Sequence, residues 1–379
     1  MNIPLARPDI TNKERQAVMS VLKTPILSLG PWLPKFEQAF AKFIGIKHAI
    51  AVNSGTSALH LIVKSLGIKD GDEVITSPFT FISSATCVIF ERARPVFVDI
   101  DPKTFNIDPK KIEKAITKKT RAILPIDVFG YPADWDPIIR IAQKYNLKII
   151  EDSCEAIGSS YYSKTRRRWI NCGCFGEAGA FAFYPNKQMT TGEGGFVVTN
   201  NDKIAELSRS MRNQGRGGDQ KWLEHVRLGH NYRISEINCA LGYAQTTRLR
   251  EMIAKRAKVA KMYNYYLKDI SEIILPQVAP NIKMSWQAYI IRLGDKYNII
   301  QRDRILKLLR ENGVGCNNYF PSIHLQPLFK KTFGYNIGDF PISEFISDRT
   351  IALPFYNNLT KRQIKYIART FKRILKTIS

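Results

Sequence analysis

Apolar positions along this chain recur with two periods. In the stretches 12–22, 36–43 and 58–66 they fall three and four residues apart, the spacing of a single helix face. Between them come short, nearly continuous apolar runs at 48–52, 73–77, 95–100, 122–128, 148–152, 179–184 and 196–199, which read as strands buried on both faces. Several of these runs are separated by helical patterns, and such alternation predicts an α/β fold with a mostly parallel sheet covered by helices on both faces. Beyond Asp202 the pattern turns helical, at 204–212 and over the long stretch 235–261. Short strands follow within 274–293, and from Arg302 to the end the chain reads as a smaller α+β unit. The expected division is a large α/β domain over 1–250, with an N-terminal arm, and a small α+β domain over 251–379.

Length and composition alter little. With 379 residues, 44% of them hydrophobic, the chain can bury a sizeable core. The formal net charge of +24 invites a nucleic-acid reading, but the basic residues are spread along the whole chain. The densest run, K-T-R-R-R at 164–168, and the cations of the last helix read as solvated faces, so no nucleic-acid partner is expected. Cysteines at 87, 154, 172, 174, 239 and 316 are too scattered for a disulfide framework, and the Cys172/Cys174 pair lacks the second pair that a metal site needs. Neither a signal-peptide pattern nor an uncharged run of membrane-spanning length is present, and the expectation is a cytoplasmic protein without membrane insertion.

The candidate chemistry sits at strand ends. The first run leads into Asn53-Ser54-Gly55-Thr56-Ser57 and then a helix. Its N-terminal N–H groups make an anion site, although Ser54 and Thr56 could equally just cap the helix. Phe81 and Asp152 also lie at or just past such ends, and so does Lys187, in F-Y-P-N-K followed by the glycines of G-E-G-G. Ligands collect there in sheets of this kind. Alone, Lys187 would pass for a surface lysine. Asp152, closing an apolar run, needs a cationic partner to stay charged, and a protonated pyridine nitrogen would serve. A phosphate cradle, a ring to stack on, an acid and an amine are together what pyridoxal 5'-phosphate requires.

The blocks S-G-T-S-A-L at 54–59, G-D-E-V-I at 71–75, P-V-F-V-D at 95–99, E-D-S-C-E-A at 151–156, F-Y-P-N-K at 183–187, G-E-G-G at 192–195, N-Y-R at 231–233 and I-H-L-Q-P at 323–327 span nearly the whole chain. In these blocks it resembles the DegT/DnrJ/StrS-type sugar aminotransferases, of the aspartate-aminotransferase-like fold type I. The resemblance implies a large domain with a mostly parallel seven-stranded sheet. It makes Lys187 the Schiff-base lysine and proton carrier, and Asp152 the partner of the ring nitrogen. Phe81 would stack on the ring, Gly55, Thr56 and Ser57 would hold the phosphate, and Glu155 would lie near the phenolic oxygen. Asn231 would reach the phosphate of a neighbouring subunit, giving a homodimer with shared active sites. Tyr184, Arg233 and His324 would contact the sugar nucleotide. The implied reaction moves an amino group, with glutamate the expected donor, to a keto group of a nucleotide-diphosphate-linked hexose in amino-sugar and polysaccharide biosynthesis. Relatives that are dehydratases carry histidine in place of the lysine, which Lys187 argues against. A different reaction of the same cofactor, or a non-catalytic regulatory protein, is the alternative.

Three departures from the family pattern stand out. Ala182 replaces a common phosphate-binding serine. Glu155 replaces glutamine or histidine beside a cofactor oxygen, so it is expected to be protonated, turned away or bridged by water. The stretch 163–174 reads as a longer, more basic, solvated loop.

Overall fold

The computed structural model describes residues 1–217 and 224–378. Helix α1 (Asn12–Leu22) starts at a capping box in which Lys13 N–H donates to Thr11 Oγ1 and Thr11 N–H to Glu14 Oε2 at 2.7 Å. Helix α2 (Trp32–Ile44) starts four residues before the expected 36, where the buried Glu236 carboxylate, far along the chain, accepts from the N–H groups of Trp32 (2.7 Å) and Leu33 (3.1 Å). Then follow β1 (His48–Val52), α3 (Gly55–Ser65), β2 (Glu73–Thr76), α4 (Ser83–Ile89), β3 (Arg94–Phe97), the single turn α5 (Pro109–Ile112), β4 (Thr120–Ile123), α6 (Trp135–Lys144) and β5 (Lys148–Asp152). A hairpin of β6 (Ser160–Ser163) and β7 (Arg168–Asn171) leads to β8 (Ala178–Ala182), β9 (Gly195–Thr199) and α7 (Asp202–Arg212).

These strands form one seven-stranded sheet of order β1-β9-β8-β5-β4-β2-β3. All neighbours pair in parallel except around β9, which runs antiparallel to both β1 and β8. Successive side chains divide the core as a strand must. Ile50, Val52, Val74, Ile150, Ala180 and Val197 point to the layer of α3, with Leu59 and Ile62. Ala49, Ala51, Phe181, Phe196 and Val198 face Phe36 and Phe40 of α2, while Ile75, Ile123 and Ile149 face Trp135 and Ile138 of α6. Both faces are covered, which is why the runs showed no polar alternation.

The second lobe begins within α8 (Glu236–Leu267), which continues unbroken past residue 250. Its first half, with Cys239 and Leu249, packs on α2; its second half, with Val259, Tyr263 and Leu267, packs in the small lobe. There β10 (Ile273–Ile274), β12 (Tyr289–Leu293) and β13 (Thr350–Leu353) make an antiparallel sheet against α9 (Ile299–Glu311) and α12 (Lys361–Ile378). The short helices α10 (Pro327–Phe333) and α11 (Pro341–Ser347) lie between α9 and β13 in sequence, and β11 (Ile282–Lys283) joins the β6/β7 hairpin. The N-terminal arm belongs to this lobe's core: Ile3 bridges Val314 and is fully buried, and Leu5 C=O accepts from Phe355 N–H.

The stretch 163–174 is not the expected open loop. It is a paired hairpin whose turn passes through Arg167 at φ 52 and is tied down at Asp136, which accepts from Lys164 N–H at 2.8 Å. Its Trp169 ring lies 4.1 Å beneath the Lys283 ammonium. Among the described residues no helix is long and apolar enough to cross a membrane, and no cluster of His, Cys, Asp or Glu could hold a metal ion.

Candidate active site

The C-terminal ends of β1, β2, β5 and β8 open onto one cleft of about 710 Å3. Gly55, Thr56, Phe81, Asp152, Glu155, Tyr184 and Lys187 all line it, as does Ala182. Small-lobe segment 317–321 closes the cleft from the far side. The amine and the acid on which the sequence reading turns therefore meet in one space.

Each wall has a local cause. Ser54 caps α3 by accepting from Ser57 N–H at 3.0 Å, which leaves the first N–H groups of the helix directed at the cleft. Gly55 is required there: a Cβ would come within 2.7 Å of Ala182 Cβ and 3.0 Å of Cys154 Sγ. Phe81 precedes α4 and is 62% exposed, a large ring open to the cleft. Asp152 ends β5, fully enclosed. Its Oδ2 accepts from Ser84 Oγ at 2.6 Å and its Oδ1 from Cys154 N–H at 3.2 Å. Burial pushes this carboxyl above its ordinary pKa, against the pull of those donors. After β8 the chain leaves the sheet. Phe183 N–H bonds Gly194 C=O and Thr191 N–H bonds Phe183 C=O, closing a loop from which Lys187 projects inward.

Lys187 Nζ donates to Glu155 Oε1 at 3.0 Å. Burial by itself would push the ammonium down. Glu155, together with Cys154 and Asp152, outweighs it and leaves the pKa above the ordinary lysine value. The contact with Glu155 thus favours the ammonium form of Lys187.

Other expectations are redistributed. Ser57 does not line the cleft; its hydroxyl donates to Asn53 Oδ1 at 2.6 Å, so it serves the cap. Asn231 is exposed and lies off this cleft, and Arg233 donates to Asn213 Oδ1 at 3.0 Å instead of reaching it. His324 does not line the cleft: its side chain is fully buried, paired with Glu344 Oε1 at 3.0 Å and packed against Phe340. Glu155 lines the cleft and faces the amine. Ser84, Thr80 and Asn186 were given no role from the sequence. The first two flank Phe81 at the same strand end, which was the available signal.

The residues present fit pyridoxal phosphate: an amine and a buried acid share one cleft with an exposed ring, a glycine-floored helix N-terminus, and a buried Asn186 Oδ1 that has no partner among the described residues. A sheet and site of this kind define a fold type I pyridoxal phosphate enzyme. Residues 8–372 match the model of the DegT/DnrJ/EryC1/StrS aminotransferase family, and the chain belongs to it. It is 36% identical to GDP-perosamine synthase of Caulobacter vibrioides over 98% of each chain. PseC of Helicobacter pylori, an aminotransferase of pseudoaminic acid biosynthesis, superposes with a TM-score of 0.92 at 28% identity, covering 100% of both chains. A Streptococcus pneumoniae protein solved in its PMP-form gives 0.94 at 25% identity, covering 100% of this chain and 98% of its own. The protein is a pyridoxal-phosphate-dependent sugar aminotransferase.

Proposed function

We propose that this enzyme transfers an amino group from glutamate to a keto group of a nucleotide-diphosphate-linked hexose, with Lys187 as the covalent anchor and proton carrier. When bound, pyridoxal phosphate supplies the carbonyl that carries the amino group and the electron sink that lets a C–H bond break. The protein's part divides among its residues. The N–H groups at the start of α3, with the Thr56 hydroxyl, bind the phosphate. Asp152, fixed by Ser84 and Cys154, accepts from the protonated ring nitrogen. Phe81 and Tyr184, 62% and 54% exposed, give the ring and the sugar apolar walls and exclude water. Lys187 Nζ, once free, would take the proton from the substrate carbon and deliver it to the cofactor carbon on the other side of the shared nitrogen, the transfer that transamination requires.

The observation that carries this reading is that Lys187 and Asp152 lie on one cleft at the ends of β8 and β5. Asn231, exposed and off its own cleft, supports a homodimer in which it reaches the site of the second copy. All six cysteines are free, which supports a cytoplasmic setting.

Borohydride reduction of the cofactor-loaded enzyme, followed by peptide mapping, should place the reduced adduct on Lys187. A panel of nucleotide keto-sugars with glutamate should then identify the acceptor. An adduct on another lysine, or none, would sink the proposal. Lys187→Ala should keep the fold and lose turnover.

A further inference from the structure

Glu155 is the departure with the most unusual surroundings. Its Oε2 accepts from Phe129 N–H at 2.8 Å and its Oε1 from Lys187 Nζ at 3.0 Å, with the carboxylate almost fully buried. Phe129 donates from a left-handed backbone at φ 57 and ψ 15, a conformation that a bulky side chain adopts only where its surroundings impose it. The carbonyl of Glu155 is held as well, by Gln188 Nε2 at 2.6 Å. Two donors thus converge on one side-chain terminus. A carboxylate accepts from both. A glutamine offers one acceptor and one N–H₂, so in either orientation it turns a donor against a donor.

We propose that Glu155 is a positioning residue for Lys187: pinned at one oxygen by the Phe129 amide, its carboxylate grips the lysine ammonium whenever that nitrogen is not covalently engaged. The proposal rests on Lys187 being the amine of the proposed reaction. The ionisable groups facing Lys187 are Glu155, Cys154 and Asp152 from the β5 side, with Tyr319 from the small lobe, whose own ionisation responds to Lys187, Glu155 and Tyr184. Among the acidic groups only Glu155 is in contact with Nζ. Its removal should therefore dominate the response.

Competitive acylation of the cofactor-free full chain across a pH series, read as modification of the Lys187 peptide by mass spectrometry, tests this. Glu155→Gln should lower the midpoint of Lys187 reactivity by about one pH unit or more, the size of effect expected of a contacting opposite charge. Glu155→Asp, which keeps the charge but shortens the reach, should fall between the two. Wild-type and Glu155→Gln midpoints that coincide, or a Glu155→Asp midpoint no higher than that of Glu155→Gln, would overturn the proposal. If Glu155→Gln fails to fold, Glu155→Asp against wild type decides alone: a lowered midpoint supports the grip and an unchanged one overturns it. A missing borohydride adduct on Lys187 would defeat the functional reading, while the acylation midpoints would still report on the grip.

Discussion

Phe81 and Ser84 stand three residues apart and should respond to truncation in different ways. Phe81 is exposed in the chain without cofactor, so Phe81→Ala should leave the melting temperature nearly unchanged, within about 0.5 kcal/mol. Losing a stacked ring should weaken cofactor binding about threefold to tenfold, read by equilibrium titration. Ser84 is buried, and its hydroxyl bonds Asp152 at 2.6 Å. Ser84→Ala removes a hydrogen bond to a charged group, a loss of about 1.5–3 kcal/mol. Since that donor favours the carboxylate, its loss should raise the already elevated pKa of Asp152 further, and the acid limb of cofactor affinity should move to higher pH. Cofactor titrations of wild type and variant at several pH values would show the shift. Lys187 and Asp152 were legible in the sequence because a strand end leaves its mark on both sides of it. The burial of His324 was not, since it depends on Phe340 and Tyr335 closing over it from residues that carry no local signature.

At the scale of elements, α3 does two jobs. Its N-terminus floors the cleft, and its middle carries His60, which shares protons with Tyr232 (2.9 Å) and Glu91 (2.8 Å) and lies 4.8 Å from the ring of His230. The chain thereby couples the phosphate helix to the N-Y-R segment. Burial holds His60 and His230 below their ordinary pKa, although Glu91 pulls the other way. Unfolding lets both regain a value near 6.5, so below about that pH the unfolded chain binds more protons and stability falls. His60→Gln should flatten the decline in melting temperature between pH 7 and 5, whatever it does to the value at pH 7. The same helix predicts the outcome of Gly55→Ala. The added methyl runs into Ala182 and Cys154, costing about 1–3 kcal/mol on thermal unfolding and loosening the cofactor. Periodicity located α3 and the strands, because both faces of the sheet are covered. It missed the β6/β7 hairpin, whose pairing is fixed by Asp136 and by β11, not by any apolar repeat.

For the molecule as a whole, the charge needs to be placed. The lining of the cleft carries Asp152, Glu155 and Glu193 against Lys187, so the walls that this chain supplies are not electropositive. The cations lie outside. On α12, Lys361, Arg362, Lys365, Arg369, Lys372, Arg373 and Lys376 form none of the ion pairs found among the described residues. Capture of a diphosphate substrate should then depend on the long-range field of the +24 chain, which salt screens. Raising ionic strength from about 0.05 to 0.3 M should lower kcat/KM severalfold while leaving kcat nearly constant.

The bridge from Ile3 to Val314, and that of Leu5 to Phe355, carry a lesson about biosynthesis. Residues 3 and 5 find their berth only after the distant segments at 314 and 355 have been translated, so the hydrophobic Ile3 must wait exposed while the central sheet assembles. A bulky group attached to that segment would compete for the berth. The C-terminal lobe, rather than the catalytic cleft, would then be the first part to suffer.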